Sequence, residues 1–170
     1  MHLLSRNAVL ALIGLTLVLH TAEEYLTFPA FLASPGDPLL AWFPLPGLLH
    51  KPQEVHIALM FATALPLLVI AWAILSRRKA LLIAGLLVPS VLLVNAGAHM
   101  LASLVHGGYV PGLITAVFIN LPFGVYVFRR AVKEQWIRAR AVWQLIGVAV
   151  VLHVVWLVSG FWMLRRAVFR

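Results

Sequence analysis

The chain contains no cysteine. Disulfides and thiolate metal sites are therefore excluded, and any metal would have to be held by nitrogen and oxygen ligands. Carboxylates are scarce as well: five in 170 residues, namely Glu23, Glu24, Asp37, Glu54 and Glu134. Charged residues of both signs reach only 11%, whereas roughly a quarter is usual in soluble domains. Hydrophobic residues reach 63%, and the mean hydropathy is +1.01. A soluble fold of this length cannot hide so much apolar surface, so the expected solvent is a lipid bilayer. Also lacking is a nucleic-acid motif to go with the net charge of +8. The basic residues lie between apolar segments, and membrane lipid with anionic headgroups is their expected counterpart rather than nucleic acid. Residues 8–19 imitate the apolar part of a signal peptide, but no convincing cleavage site follows, so this segment is expected to be retained.

What is present is a series of long apolar runs. A spanning helix needs about 20 mostly apolar residues. Five candidates stand at roughly 6–26, 53–75, 80–104, 110–128 and 141–164. The expected fold is all-α: a polytopic membrane bundle of about five helices forming one domain over 1–170. Pro66, Pro89 and Pro122 fall inside spans, where membrane helices accommodate proline with a kink. Residues 28–52 differ. They hold six of the ten prolines, which argues against a continuous helix, yet they are rich in Phe, Leu and Trp. This segment is expected to lie in the membrane interface, either as a lid or as packing between the first two helices. Five spans put the termini on opposite sides. Nine basic residues then share the side of the N-terminus and four the other, which predicts a cytoplasmic N-terminus.

The stretch HTAEE at residues 20–24 ends the first apolar run, and ionisable groups there need a reason. Charges near the hydrocarbon cost several kcal/mol, roughly 2.5–3.5 at a helix centre, and they normally face one another, a cavity or an ion. The five-span topology brings the end of the first helix, the start of the second, the end of the third and the start of the fourth to one leaflet. Around a helix, Glu24 lies about 40° from His20 and Glu23 about 60° away on the other flank, so all three can face one centre. Asn95 and His99 share a face, and His106 returns to it. Glu54 and His56 point in nearly opposite directions. Imidazole and carboxylate suit zinc, iron and manganese, and His/Glu pairs on helices build di-metal sites inside bundles. The expected ligands are His20, Glu23, Glu24, Glu54 and His99, with His56, Asn95 and His106 as weaker candidates. Glu23, Glu24 and Tyr109 are the candidate catalytic groups. His153 stands alone on the fifth helix and is expected to be a hydrogen-bonded core residue; His2 and His50 are expected at the interface.

HTAEE, the further histidine His99, and YVPG at 109–112 occur in that order. Together they resemble the HXXEE-domain family of small bacterial membrane proteins over about residues 6–130. The family's function is unassigned, so the resemblance implies a bacterial inner-membrane setting and underlines these motifs without naming a reaction. In YVPG, Pro111 and Gly112 would shape the start of the fourth helix, and Tyr109 would put a phenol at the mouth of the site or anchor it at the interface.

These residues predict a membrane enzyme using one or two divalent metal ions on a lipophilic small molecule or lipid. Zinc would favour hydrolysis and iron oxidation by dioxygen. Two other readings remain. One is metal-free acid–base isomerisation or cyclisation of an isoprenoid, with aromatic residues such as Trp42, Trp156 and Tyr109 steadying a cation. The other is a metal or proton transporter or binding protein; the polar groups crowd one leaflet, so a path across the membrane would call for a homo-oligomer.

Overall fold

The computed structural model describes residues 4–33, 52–76 and 78–168, with side chains from Val55 and up to Trp156 at either end of the later stretches. Five long helices account for nearly all of them: α1 (Arg6–Leu32), α2 (Pro52–Leu75), α3 (Lys79–His106), α4 (Leu113–Lys133) and α5 (Ala139–Val168). Each is long and apolar enough to cross a membrane. Their outward faces carry Leu26, Leu75, Leu104, Phe118 and Trp143, each more than 70% exposed. Such a surface fits hydrocarbon, consistent with an integral membrane protein.

The sequence explains where the helices begin and end. Ser5 caps α1 by accepting the Ala8 N–H at 3.1 Å. α1 then runs to Leu32, six residues past the expected end at 26, and carries Pro29 inside it. Proline cannot return an N–H to the Tyr25 carbonyl one turn back. His56 of α2 lies there instead, its Nε2 3.3 Å from that oxygen, so the proline is tolerated. The remaining part of the proline-rich stretch, residues 34–51 with Trp42 and Phe43, lies outside the described residues. α3 ends at Gly107, whose φ of 76° suits glycine; its N–H donates to the Ser103 carbonyl. α4 widens into π-type turns over Ala116–Asn120, just before Pro122.

The core is a stripe down α1 at helical spacing, Val9, Leu10, Ile13 and Leu17, and it ends at the buried His20. Ile70 and Ala73 of α2, Leu86 and Leu92 of α3, Val127 and Ala131 of α4, and Leu145 of α5 complete it. At the end of the bundle where α1 begins, the buried Arg130 joins separate pieces. It donates to Glu134 Oε1 at 2.7 Å, to the Tyr126 hydroxyl at 3.1 Å and to the Leu4 carbonyl, and it lies over the Trp136 ring. The polar residues of interest sit at the opposite end.

Candidate metal centre

Three helices meet at this site. α1 brings His20, Glu23 and Glu24; α3 brings Asn95 and His99; α4 brings its first turn, entered through the tight YVPG turn. Both His20 with Glu24 and Asn95 with His99 are four residues apart, so each pair projects from one helical face.

His20, Glu24 and His99 converge. The Glu24 Oε1 atom lies 3.3 Å from His99 Nε2 and 3.7 Å from His20 Nε2, and the two rings meet edge to face at 5.1 Å. One potential ligand atom from each residue falls within 4.8 Å of the others, an arrangement that could hold a metal ion. A four-coordinate ion with bonds of about 2.0–2.1 Å keeps its ligands roughly 3.3 Å apart; the Glu24–His99 separation matches that value, and the Glu24–His20 separation of 3.7 Å would have to close slightly.

The hydrogen bonds assign the protons. Glu23 Oε2 accepts the Thr115 hydroxyl at 2.6 Å and the Thr115 N–H at 2.7 Å. With its own proton given to that carboxylate, Thr115 Oγ1 is an acceptor toward His20 Nδ1, 2.8 Å away. His20 therefore carries its proton on Nδ1 and turns a bare Nε2 toward Glu24. The Asn95 amide nitrogen donates to that lone pair at 2.6 Å. His99 Nε2 is buried and has no hydrogen-bond partner. The orphaned His99 Nε2 lies beside a carboxylate and near His20 Nε2, whose lone pair Asn95 occupies here; a cation would satisfy His99 and Glu24 and take His20 as a third ligand once the Asn95 amide turns aside.

Glu23 faces another way. Besides Thr115, its Oε1 accepts the Ile114 N–H at 3.1 Å and the Tyr109 hydroxyl at 2.8 Å. It thus satisfies the free N–H groups that open α4, and its charge suits the positive end of that helix. The two glutamates of HTAEE divide their tasks: Glu24 joins the histidines, and Glu23 ties α1 to the YVPG turn and orients His20 through Thr115. Burial raises the Tyr109 phenol above its ordinary value near 10, and the Glu23 carboxylate acts in the same direction, so Tyr109 is held in its proton-donating form.

Gly112 explains the last motif residue. Its φ is 84°, in the left-handed region. A Cβ there would stand 2.8 Å from His20 Cε1, 2.8 Å from His99 Cε1 and 3.0 Å from Glu24 Cγ. The backbone of the turn is pressed against all three members of the trio, and glycine is needed both for the angle and for the approach.

Residues 11–127 match the family described as proteins of unknown function with HXXEE motif. The chain belongs to the HXXEE family. No curated protein and no solved structure gives a match. The HXXEE match covers α1 through most of α4, and so contains His20, Glu24, His99 and the turn that packs on them.

The other expected site residues are distributed as follows. Asn95 belongs to the site as a donor to His20. His56 stacks on Tyr25, with centroids 3.8 Å apart, and serves the α1–α2 contact around Pro29. His106 meets the edge of the Phe31 ring at 5.4 Å at the close of α3. The Glu54 side chain lies outside the described residues. His153, expected to be a hydrogen-bonded core residue, is half-buried on α5 within electrostatic reach of Glu24 and His99. It continues the inward stripe of Leu145 and Ala149 along α5, a spacing visible in the sequence. The YVPG motif marks Gly112 as a shaper of the turn but not as a neighbour of the trio, and Thr115 gives no signal, because both contacts come from the turn that brings them against α1.

Proposed function

We propose that this protein is a membrane metalloenzyme in which His20, Glu24 and His99 hold a divalent ion of the zinc or iron kind and present it to a lipophilic substrate. The observation that carries the reading is the buried His99 Nε2 without a hydrogen-bond partner, 3.3 Å from Glu24 Oε1. Two imidazoles and one carboxylate are the ligand set of many catalytic ions with an open position; the ion supplies a Lewis acid there. One ion is favoured over two, because the described residues hold one such trio and the oxygens of Glu23 are engaged elsewhere.

The chain's own residues have distinct tasks in this reading. Glu24 neutralises part of the ion's charge in a low dielectric. Thr115 and Glu23 fix the tautomer and ring plane of His20. Tyr109, 40% exposed, offers a phenol proton at the mouth. A lipophilic substrate is favoured by the setting, since the helices that carry the trio expose apolar side chains such as Leu19, Leu26 and Leu104 to hydrocarbon. The clustering of nine basic residues toward the α1 start supports a cytoplasmic N-terminus in a bacterial inner membrane, which reporter fusions after Arg78 and at Gly36 check.

The deciding experiment is elemental analysis of protein purified without a His tag, for wild type, His99→Ala and Glu24→Gln. One zinc or iron per chain in wild type, lost in both variants, is expected. Metal-free wild type, or equal metal in all three, overturns the reading and leaves His99 and Glu24 as a proton-transfer pair.

A further inference from the structure

The end of the bundle opposite the His/Glu site has a second construction that the proposed chemistry does not use. Two adjoining cavities of about 460 and 350 Å³ open there and share Lys79 and Gln135 in their walls. Both are open hollows on the surface rather than enclosed pockets. Arg6 of α1, Arg78 and Lys79 at the α2–α3 turn, and Arg138 at the α4–α5 turn bring four cations to these walls. The one carboxylate among the lining residues, Glu134, is held by Arg130 at 2.7 Å. The lining is therefore strongly positive.

Backbone and hydroxyl groups add to it. α3 starts at Lys79 after Arg78, with no side chain capping its first turn. The Leu81 and Leu82 N–H groups donate to the Arg78 carbonyl, and the positive end of the helix adds to the charge beside the second cavity. Ser76 Oγ accepts the Arg78 N–H at 3.2 Å, which leaves its own proton to donate. Gln135, in both walls, holds a φ of 59°, a left-handed conformation that costs a non-glycine residue energy. Apolar surface runs away from the cavities in two directions: Leu75, 84% exposed, precedes Ser76, and Trp143, 75% exposed, lies one turn beyond Ala139.

We infer that these cavities bind the phosphodiester headgroup of an anionic phospholipid, with Arg6, Arg78, Lys79 and Arg138 around the phosphate and the acyl chains laid along the α2 end and the α5 start. Cations clustered at helix ends at one depth match a headgroup, and the flanking Leu75 and Trp143 surfaces match chains; a free phosphate has no use for the latter. The inference is independent of the metal reading, since the two sites lie at opposite ends of the bundle.

The test is thermal unfolding of delipidated protein in neutral detergent, titrated separately with phosphatidylglycerol, phosphatidylcholine and inorganic phosphate. Native mass spectrometry counts retained lipid in parallel. Phosphatidylglycerol is expected to raise the wild-type midpoint by about 5 °C at saturation, with phosphatidylcholine far less effective. In Arg78→Gln/Lys79→Gln the shift should at least halve and the retained lipid should disappear. Arg138→Gln, at an exposed position, gives the same comparison should the double variant fold poorly. His99→Ala should keep the full lipid shift. Equal shifts with the two lipids, an unchanged shift in the basic-residue variants, or a full shift with inorganic phosphate alone would each overturn the inference.

Discussion

Replacing Gly112 by alanine tests the packing of the YVPG turn against the trio, because Gly107 supplies a matched control. Both glycines hold left-handed backbone, at φ 84° and 76°, so alanine pays the same backbone cost at each, about 1–2 kcal/mol. Their surroundings differ. A Cβ at Gly107 meets nothing within 4 Å. A Cβ at Gly112 stands 2.8 Å from carbon atoms of both histidine rings and 3.0 Å from Glu24. Carbon atoms make their best contact at about 3.5–4.0 Å, so each of the three side chains must withdraw by roughly half an ångström to one ångström. A metal ligand set is held to about 0.2 Å, and disturbing its support typically costs 10–100-fold in affinity. Both variants should therefore lose similar stability in thermal unfolding of metal-free protein. Only Gly112→Ala should lose metal affinity, by about 100-fold, in competition with a chelator. Gly97→Ala, in open space on α3, should be neutral or slightly stabilising in both assays. If Gly112→Ala binds metal as tightly as Gly107→Ala, the turn does not brace the trio and the reasoning fails.

Other outcomes follow from the same geometry. Glu23→Gln should destabilise the fold by about 1.5–3 kcal/mol, because an amide cannot accept all four donors that the carboxylate accepts, and should weaken metal affinity about 10-fold without abolishing it, because His20 loses its support through Thr115; chelator competition and denaturant unfolding separate the two effects. His99→Ala should abolish metal binding and His153→Ala should keep it, a ranking that metal stoichiometry under graded chelator reads directly. Tyr109 has a raised pKa, so its contribution to stability is complete below pH 10 or so and disappears as pH climbs through its folded value. Wild type should lose stability in that alkaline window, and Tyr109→Phe should lack that component of the loss. Arg130→Gln should lower the unfolding temperature without changing metal content, since its partners Glu134, Tyr126 and Leu4 lie at the far end of the bundle.

Hydropathy made the five spans legible because each helix must be apolar along its whole length. The gathering of polar groups at one end followed from span number alone. The pairs His20–Glu24 and Asn95–His99 were legible for the same local reason, a spacing of four on a helix. Angular position around α1 also allowed Glu23 to join them, and there local reasoning reached its limit. The donors that claim Glu23 come from Tyr109, Ile114 and Thr115, 86 to 92 residues away, and depend on a turn whose geometry no periodicity announces. The continuation of α1 through Pro29 was hidden likewise, because the group beside the freed Tyr25 carbonyl, His56, belongs to another helix. His153 was a matter of register: its place on the stripe of Leu145 and Ala149 was readable, but the depth at which that stripe meets His99 was not.

The long reach of Glu23 has a consequence for biosynthesis. α1 is made before α3 and α4, with two carboxylates near the end of its apolar run, and Thr115 emerges 92 residues after Glu23. Throughout that interval the nascent helix holds acidic groups that hydrocarbon does not solvate. The four donors that Glu23 accepts in the finished fold all come from Tyr109, Ile114 and Thr115. A chain arrested before Tyr109 therefore holds a first helix whose Glu23 has none of them, and the YVPG turn completes that helix as well as walling the site.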